Sequence, residues 1–261
     1  MNKTQIALAV ALITSVTSHA HAAEAAAPAP DWTISGNVSL SSDYRFRGIS
    51  QTDRRPSLSG GFDLAHSSGF YIGNWNSNID SGVYGANFEM DFYGGYKGAL
   101  GGVGYDIGAI YYYYPGSDRD GGVEIKNTEI YVGGTYGPVS AKVYYPISDF
   151  FSAEEFFPGA GNAAGSYYVD LSAAHDLGGG FGVNAHVGYQ KLKGAAGDVT
   201  EIDGTVFSSY TDWKLGVTYT FANGYVAGLA YVDTNRDVAS PAAGNRKITS
   251  STGVLTLSKT F

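Results

Sequence analysis

From Trp32 to its last residue, Phe261, the chain repeatedly alternates apolar and polar residues with a period of two. Between Trp32 and Arg47 one face carries Trp32, Ile34, Gly36, Val38, Leu40, Ser42, Tyr44 and Phe46. The other carries Thr33, Ser35, Asn37, Ser39, Ser41, Asp43, Arg45 and Arg47. Successive strand side chains point to opposite sides, so such a segment has one apolar and one polar surface. The pattern recurs over 87–97, 103–113, 181–190 and 211–221, with further candidates at 58–66, 70–78, 128–136, 139–145, 167–175, 225–232 and 252–261. This predicts about twelve strands of roughly nine residues or more, long enough to span a membrane at a tilt and longer than strands of most soluble sheets.

Loop lengths alternate as well. Tight connections fall near 67–68, 98–102, 137–138, 177–180 and 222–224, and longer ones near 48–57, 79–86, 115–127, 146–166, 191–209 and 233–251. Residues 1–22 read as a secretory signal: Lys3, an apolar run, then Ala20-His21-Ala22 before the cleavage point. Residues 23–31 form an Ala/Pro-rich leader, and 32–261 the folded domain. With the mature N-terminus in the periplasm, every tight turn lies on that side and every long loop outside, as in outer-membrane barrels. Later segments lack the run of about twenty apolar residues that a spanning helix needs. The 37 Gly and 21 Tyr also disfavour a helical protein. The expected fold is therefore all-β: an antiparallel, up-and-down transmembrane β-barrel in the outer membrane of a Gram-negative bacterium.

The aromatic residues sort by height, as expected for rings at two membrane interfaces. Trp32, Tyr96, Tyr136, Phe181, Tyr219, Phe221, Tyr225 and Phe261 fall near the short-turn rim. Tyr44, Phe46, Tyr111, Tyr113, Tyr145, Tyr167, Tyr189, Trp213 and Tyr231 fall near the other. The terminal strand carries Leu255, Leu257 and Phe261 on one face and resembles the sorting signal of outer-membrane proteins. That implies the barrel-assembly machinery as a partner, and outer-membrane lipid and lipopolysaccharide as surroundings. Lys259 departs from the apolar row and is expected to snorkel.

Residues 42–51, Ser-Asp-Tyr-Arg-Phe-Arg-Gly-Ile-Ser-Gln, resemble the opening signature of a proteobacterial family known as Gcw-type conserved hypothetical proteins, or TorF-family porins. Residues 60–63, 69–75, 89–96 and 111–116 are similar to later parts of the same pattern. The resemblance implies an outer-membrane location and a pore, and supplies no substrate.

The polar faces are expected to line the lumen. Acidic candidates are Asp43, Asp63, Glu89, Asp91, Asp106, Glu129, Asp170 and Asp212; basic ones are Arg45, Arg47, Lys142 and Lys214, with His186 beside them. Two roles suit them. A net-acidic lumen favours cations by direct Coulomb interaction. Alternatively, opposite charges pair across neighbouring strands, with Asp43, Arg45 and Arg47 beside the strand that carries Asp63. Twelve strands give an intermediate width, which Tyr93, Tyr112, Tyr114, Tyr144 and Tyr168 narrow further. Passive diffusion of small hydrophilic solutes or ions is the expected function, with an outer loop or the leader able to fold inward.

Two other classes remain. A lipid-modifying barrel enzyme needs a Ser–His pair at the outer rim. His66 and His175 fall near the other end, and His186 has no Ser two positions away. A non-conducting structural or adhesive barrel would act through its loops, where Glu154-Glu155-Phe156-Phe157-Pro158 makes an acidic-aromatic patch. No clustered metal ligands, cofactor motif or catalytic set stands out. The formal charge of -8 argues against nucleic acid as a partner, and no stretch of wall is singled out as a subunit contact.

Overall fold

The computed structural model describes residues 31–119, 122–156, 162–194, 209–237, 239–240 and 246–261. The expected signal, most of the leader, and Phe157 and Pro158 of the loop patch lie outside the described residues. Twelve strands form one closed antiparallel barrel. They are β1 Trp32–Ser41, β2 Ser57–His66, β3 Phe70–Asn78, β4 Phe88–Leu100, β5 Val103–Tyr113 and β6 Lys126–Tyr136. The second half comprises β7 Val139–Pro146, β8 Tyr167–Gly178, β9 Phe181–Lys191, β10 Tyr210–Thr220, β11 Tyr225–Thr234 and β12 Thr252–Thr260. Each strand pairs with its sequence neighbours, and β1 closes the ring on β12 with Leu40 opposite Leu257. Among the described residues no helix is long and apolar enough to cross a membrane.

Local chemistry explains the hairpins. Leu100 pairs with Val103, leaving Gly101 and Gly102 as a two-residue turn with φ of 58° and 84°. Positive φ at both positions matches the twist of the flanking strands and suits glycine. Phe261 completes the seam by exchanging two backbone hydrogen bonds with Gly36, at 2.8 and 2.9 Å. Its ring lies where a Gly36 side chain would be, so the missing Cβ makes room for the terminal aromatic.

The apolar faces look outward. Ile34, Leu58, Phe62, Ile72, Leu215 and Leu255 are each at least 60% exposed. Such a continuous apolar outer surface suits a hydrocarbon environment. Aromatic pairs mark its two edges: Phe181–Tyr219 and Phe70–Tyr96 at the short-turn end, Trp213–Tyr231 and Tyr167–Tyr189 at the long-loop end. Lys259 places its ammonium 4.6 Å from the Tyr225 ring centroid, a cation–π contact at the rim.

The first strand differs from expectation. It ends at Ser41, and residues 42–53 turn into the barrel. Tyr44 and Phe46 are therefore not members of the outer aromatic girdle. Both are buried inside, Tyr44 against Trp75 and Phe46 against Tyr112 and Phe151. The turn is responsible: Arg45–Phe46 pairs with Ile49–Ser50 around Arg47 and Gly48, at φ 47° and 81°.

Candidate functional site

The inward hairpin is built around Asp43. Its carboxylate accepts from Arg45 Nε at 2.7 Å and from Ser50 Oγ at 2.6 Å, tying the two arms together. The backbone N–H of Tyr44 donates to Thr52 Oγ1, and that of Gln51 to the Tyr44 carbonyl. Arg45 also donates to the Ile248 carbonyl at 2.9 Å, anchoring the hairpin to the chain entering β12.

Arg47, at the tip, reaches across the lumen. Its two terminal nitrogens bond Glu129 Oε1 and Oε2 of β6 at 3.1 and 2.6 Å, and Nη1 also donates to Gln190 Oε1 of β9 at 2.7 Å. The guanidinium stacks over Tyr168 at 4.3 Å and near Phe46 and Tyr144. This planar, bidentate arrangement is one that arginine makes and lysine cannot. Burial disfavours the charge, yet the Glu129 carboxylate outweighs it and holds the guanidinium more firmly protonated than free arginine. A non-glycine residue at positive φ stores strain, and these contacts hold Arg47 there.

The expected pairing of Asp43, Arg45 and Arg47 with Asp63 does not form. Asp43 pairs with Arg45 and Arg47 with Glu129, while Asp63 accepts from Tyr93 Oη at 2.8 Å. The reason is the inward turn, which removes the three residues from the wall beside β2. Around the hairpin, inward side chains from six strands are almost wholly buried: Ser77, Glu89, Tyr112, Glu129, Gln190 and Asp212. The hairpin thus fills the lumen at this level.

Towards the short-turn end the lumen is open. Asp63, Lys97, Asp106, Lys142, Asp170, His186 and Lys214 point inward and are half-buried. Lys142 Nζ pairs with Asp106 Oδ2 at 2.7 Å, and Tyr71 Oη donates to Asp106 Oδ1 at 2.6 Å. Lys97 sits 4.3 Å from the Tyr71 ring centroid. Lys97 is absent from the expected lumen set, although it shares the parity of Glu89 and Asp91 within the alternating segment 87–97.

His186 lies between two carboxylates. Nδ1 is 2.8 Å from Asp170 Oδ2 and Nε2 is 2.9 Å from Asp212 Oδ1. The β8–β9 register also sets Ser172 directly across from His186, with Oγ 3.3 Å from Nδ1. That is a Ser–His approach invisible to a search along one strand. Ser172, however, donates to Asp170 Oδ1 at 2.7 Å. Each ring nitrogen faces a carboxylate, and Asp170 lies closer to Nδ1 than Ser172 Oγ does. Among the described residues no three His, Cys, Asp or Glu side chains gather into a metal-binding set.

Gly188 is a structural requirement of this network. A Cβ there would overlap Tyr168 Oη and come within 2.8 Å of Asp212 Oδ2. Tyr168 Oη donates to Asp212 Oδ2 at 3.0 Å. Gly188→Ala is expected to break that bond and destabilise the barrel by about 1–3 kcal/mol. A lowered unfolding midpoint in urea measures it, and an unchanged midpoint would show that the ring simply moves aside.

A closed antiparallel barrel with an apolar exterior, a charged interior and a plugging hairpin defines a membrane-spanning β-barrel protein. The chain belongs to the family described as bacterial protein of unknown function (Gcw_chp), whose model matches residues 22–261. No curated protein sequence matches it. Among solved structures it is similar to the NanC porin, with TM-score 0.54 and 8% identity over 88% of this chain and 99% of that one. It is also similar to a KdgM porin described in complex with disordered oligogalacturonate, with TM-score 0.50 and 7% identity over 87% of this chain and 97% of that one. At these identities the likeness shows the fold.

Proposed function

We propose that this protein is a gated outer-membrane channel for small hydrophilic solutes or ions, closed in this conformation by the hairpin of residues 42–53. The carrying observation is the Arg47–Glu129–Gln190 latch. A plug meant to seal permanently is better held by apolar packing, because a buried ion pair is often no more stabilising than hydrophobic residues of similar size. A charged latch exposes polar surfaces on release, and a hydrated lumen accepts them. The porin-like fold and the resemblance of residues 42–51 to the TorF signature support the same reading. So does the loop asymmetry, with the short turns at one end and the hairpin's root at the other.

Charge is divided between two levels. In the open half, Asp63, Asp106 and Asp170 face Lys97, Lys142 and Lys214, with His186 between Asp170 and Asp212. The balance there gives little preference for either sign. The acidic excess lies at Glu89 and Asp91, behind the hairpin, so cation preference arises when the hairpin withdraws.

Conductance of the refolded protein in a planar bilayer tests this. Brief openings from a mostly closed baseline are expected, with a reversal potential in a KCl gradient that favours K+. Glu89→Gln with Asp91→Asn should weaken that preference while openings persist. No openings across a range of salts and voltages, in the wild type or after loss of the latch, would leave a structural barrel acting through its loops.

A further inference from the structure

The hairpin closes over two carboxylates that have no cation. Glu89 and Asp91 lie two residues apart on β4, both inward, at 0% and 1% exposure. Neither forms an ion pair among the described residues. Their neighbour Glu129 is already taken by Arg47. Tyr114 Oη donates to Glu89 Oε1 at 2.9 Å, but Glu89 Oε2 and Asp91 Oδ1 have no hydrogen-bond partner. The hairpin brings the Tyr44 hydroxyl beside Glu89, and this oxygen too makes no well-formed hydrogen bond. Adjacent buried carboxylates without counter-charge and with too few donors are strongly unfavourable. Unsatisfied oxygens on three side chains, at one point of contact between hairpin and wall, call for an explanation.

We propose that Glu89, Asp91 and the Tyr44 hydroxyl bind a calcium ion, which ties the hairpin to β4. The donors are all oxygen, which suits hard cations and disfavours zinc. Two carboxylates match a divalent charge. Calcium tolerates an irregular donor set completed by water, whereas magnesium demands a near-ideal octahedron. The inference rests on the position of the hairpin and not on conduction. A barrel that never conducts but binds the ion removes only the channel reading.

Terbium, which replaces calcium in oxygen sites, gives a direct readout. The Trp75 ring packs edge-on against that of Tyr44, centroids 5.2 Å apart, and is a built-in sensitiser. The full chain, refolded without divalent ions and then titrated with Tb3+, is expected to show saturable emission on indole excitation. Excess Ca2+ should displace it and raise the unfolding temperature. Glu89→Gln and Asp91→Asn, made singly, should each weaken Ca2+ binding by about tenfold or more, consistent with affinity set by ligand charge. Tyr44→Phe should weaken it less, and Glu154→Gln with Glu155→Gln on an exposed segment should leave it unchanged. The two single carboxamide variants are independent, so loss of folding in one still leaves a test in the other. Absent emission, or emission that both carboxamide variants retain, overturns the site. So does stability that follows pH and ignores Ca2+, because the carboxyl groups then hold protons instead.

Discussion

Arg47→Ala should turn a mostly closed barrel into a mostly open one. The substitution removes both bonds to Glu129, the bond to Gln190 and the stacking on Tyr168. It also leaves Glu129, at 0% exposure, as a buried charge without its partner. Removing one member of a buried pair costs about 3–5 kcal/mol, because the remaining charge is uncompensated. In this barrel that cost falls on the closed state alone, since withdrawal of the hairpin returns Glu129 to water. At about 1.4 kcal/mol per factor of ten, the ratio of open to closed channels should rise by roughly two to three and a half orders of magnitude. The open fraction of single channels at fixed voltage reads this directly.

Two companion variants sharpen the result. Arg47→Lys keeps the charge but loses the fork, and should fall between wild type and alanine. Arg47→Ala with Glu129→Ala removes the orphaned charge and should be less open than Arg47→Ala alone. An unaltered open fraction in folded Arg47→Ala protein would mean that the hairpin is not held by its tip.

The second large effect concerns the wall. Leu215 is the middle residue of β10, points outward and is 61% exposed. Leu215→Arg should cost about 2–4 kcal/mol if this surface meets the bilayer midplane. Thr256→Arg, on the inward face of β12, places the same charge in the open half of the lumen and should cost less than about 1 kcal/mol. Denaturant titration of refolding into lipid vesicles compares the two. Equal costs would argue against a lipid-facing wall.

Strand number, strand length and the outward face were legible because each rests on a local rule. Alternation in 103–113 or 211–221 depends only on the two-sided geometry of an extended chain. The observed strands there, Val103–Tyr113 and Tyr210–Thr220, match the expected segments to within one residue. Lys259 was also legible: its irregularity in the apolar row is met by the neighbouring Tyr225 ring. The site was less so. Every charged candidate on the strands points inward, but their partners follow from cross-strand register, as Ser172 opposite His186 illustrates.

The clearest division lies within 32–56. By itself, the sequence determined that Trp32 to Ser41 is a two-faced strand, and Phe261 identified the strand that closes the barrel onto it. The period-two pattern then runs on through Arg47 without a break, so nothing local separates a strand that climbs the wall from a chain that leaves it. That choice was made by residues far along the chain: Glu129 and Gln190 on the opposite wall, and Ile248 at the root of the last strand. Only the closed barrel brings them within reach of Arg45 and Arg47. Inside it, a polar strand face and an incoming polar hairpin bury the same kinds of residue, and packing across the lumen decides between them.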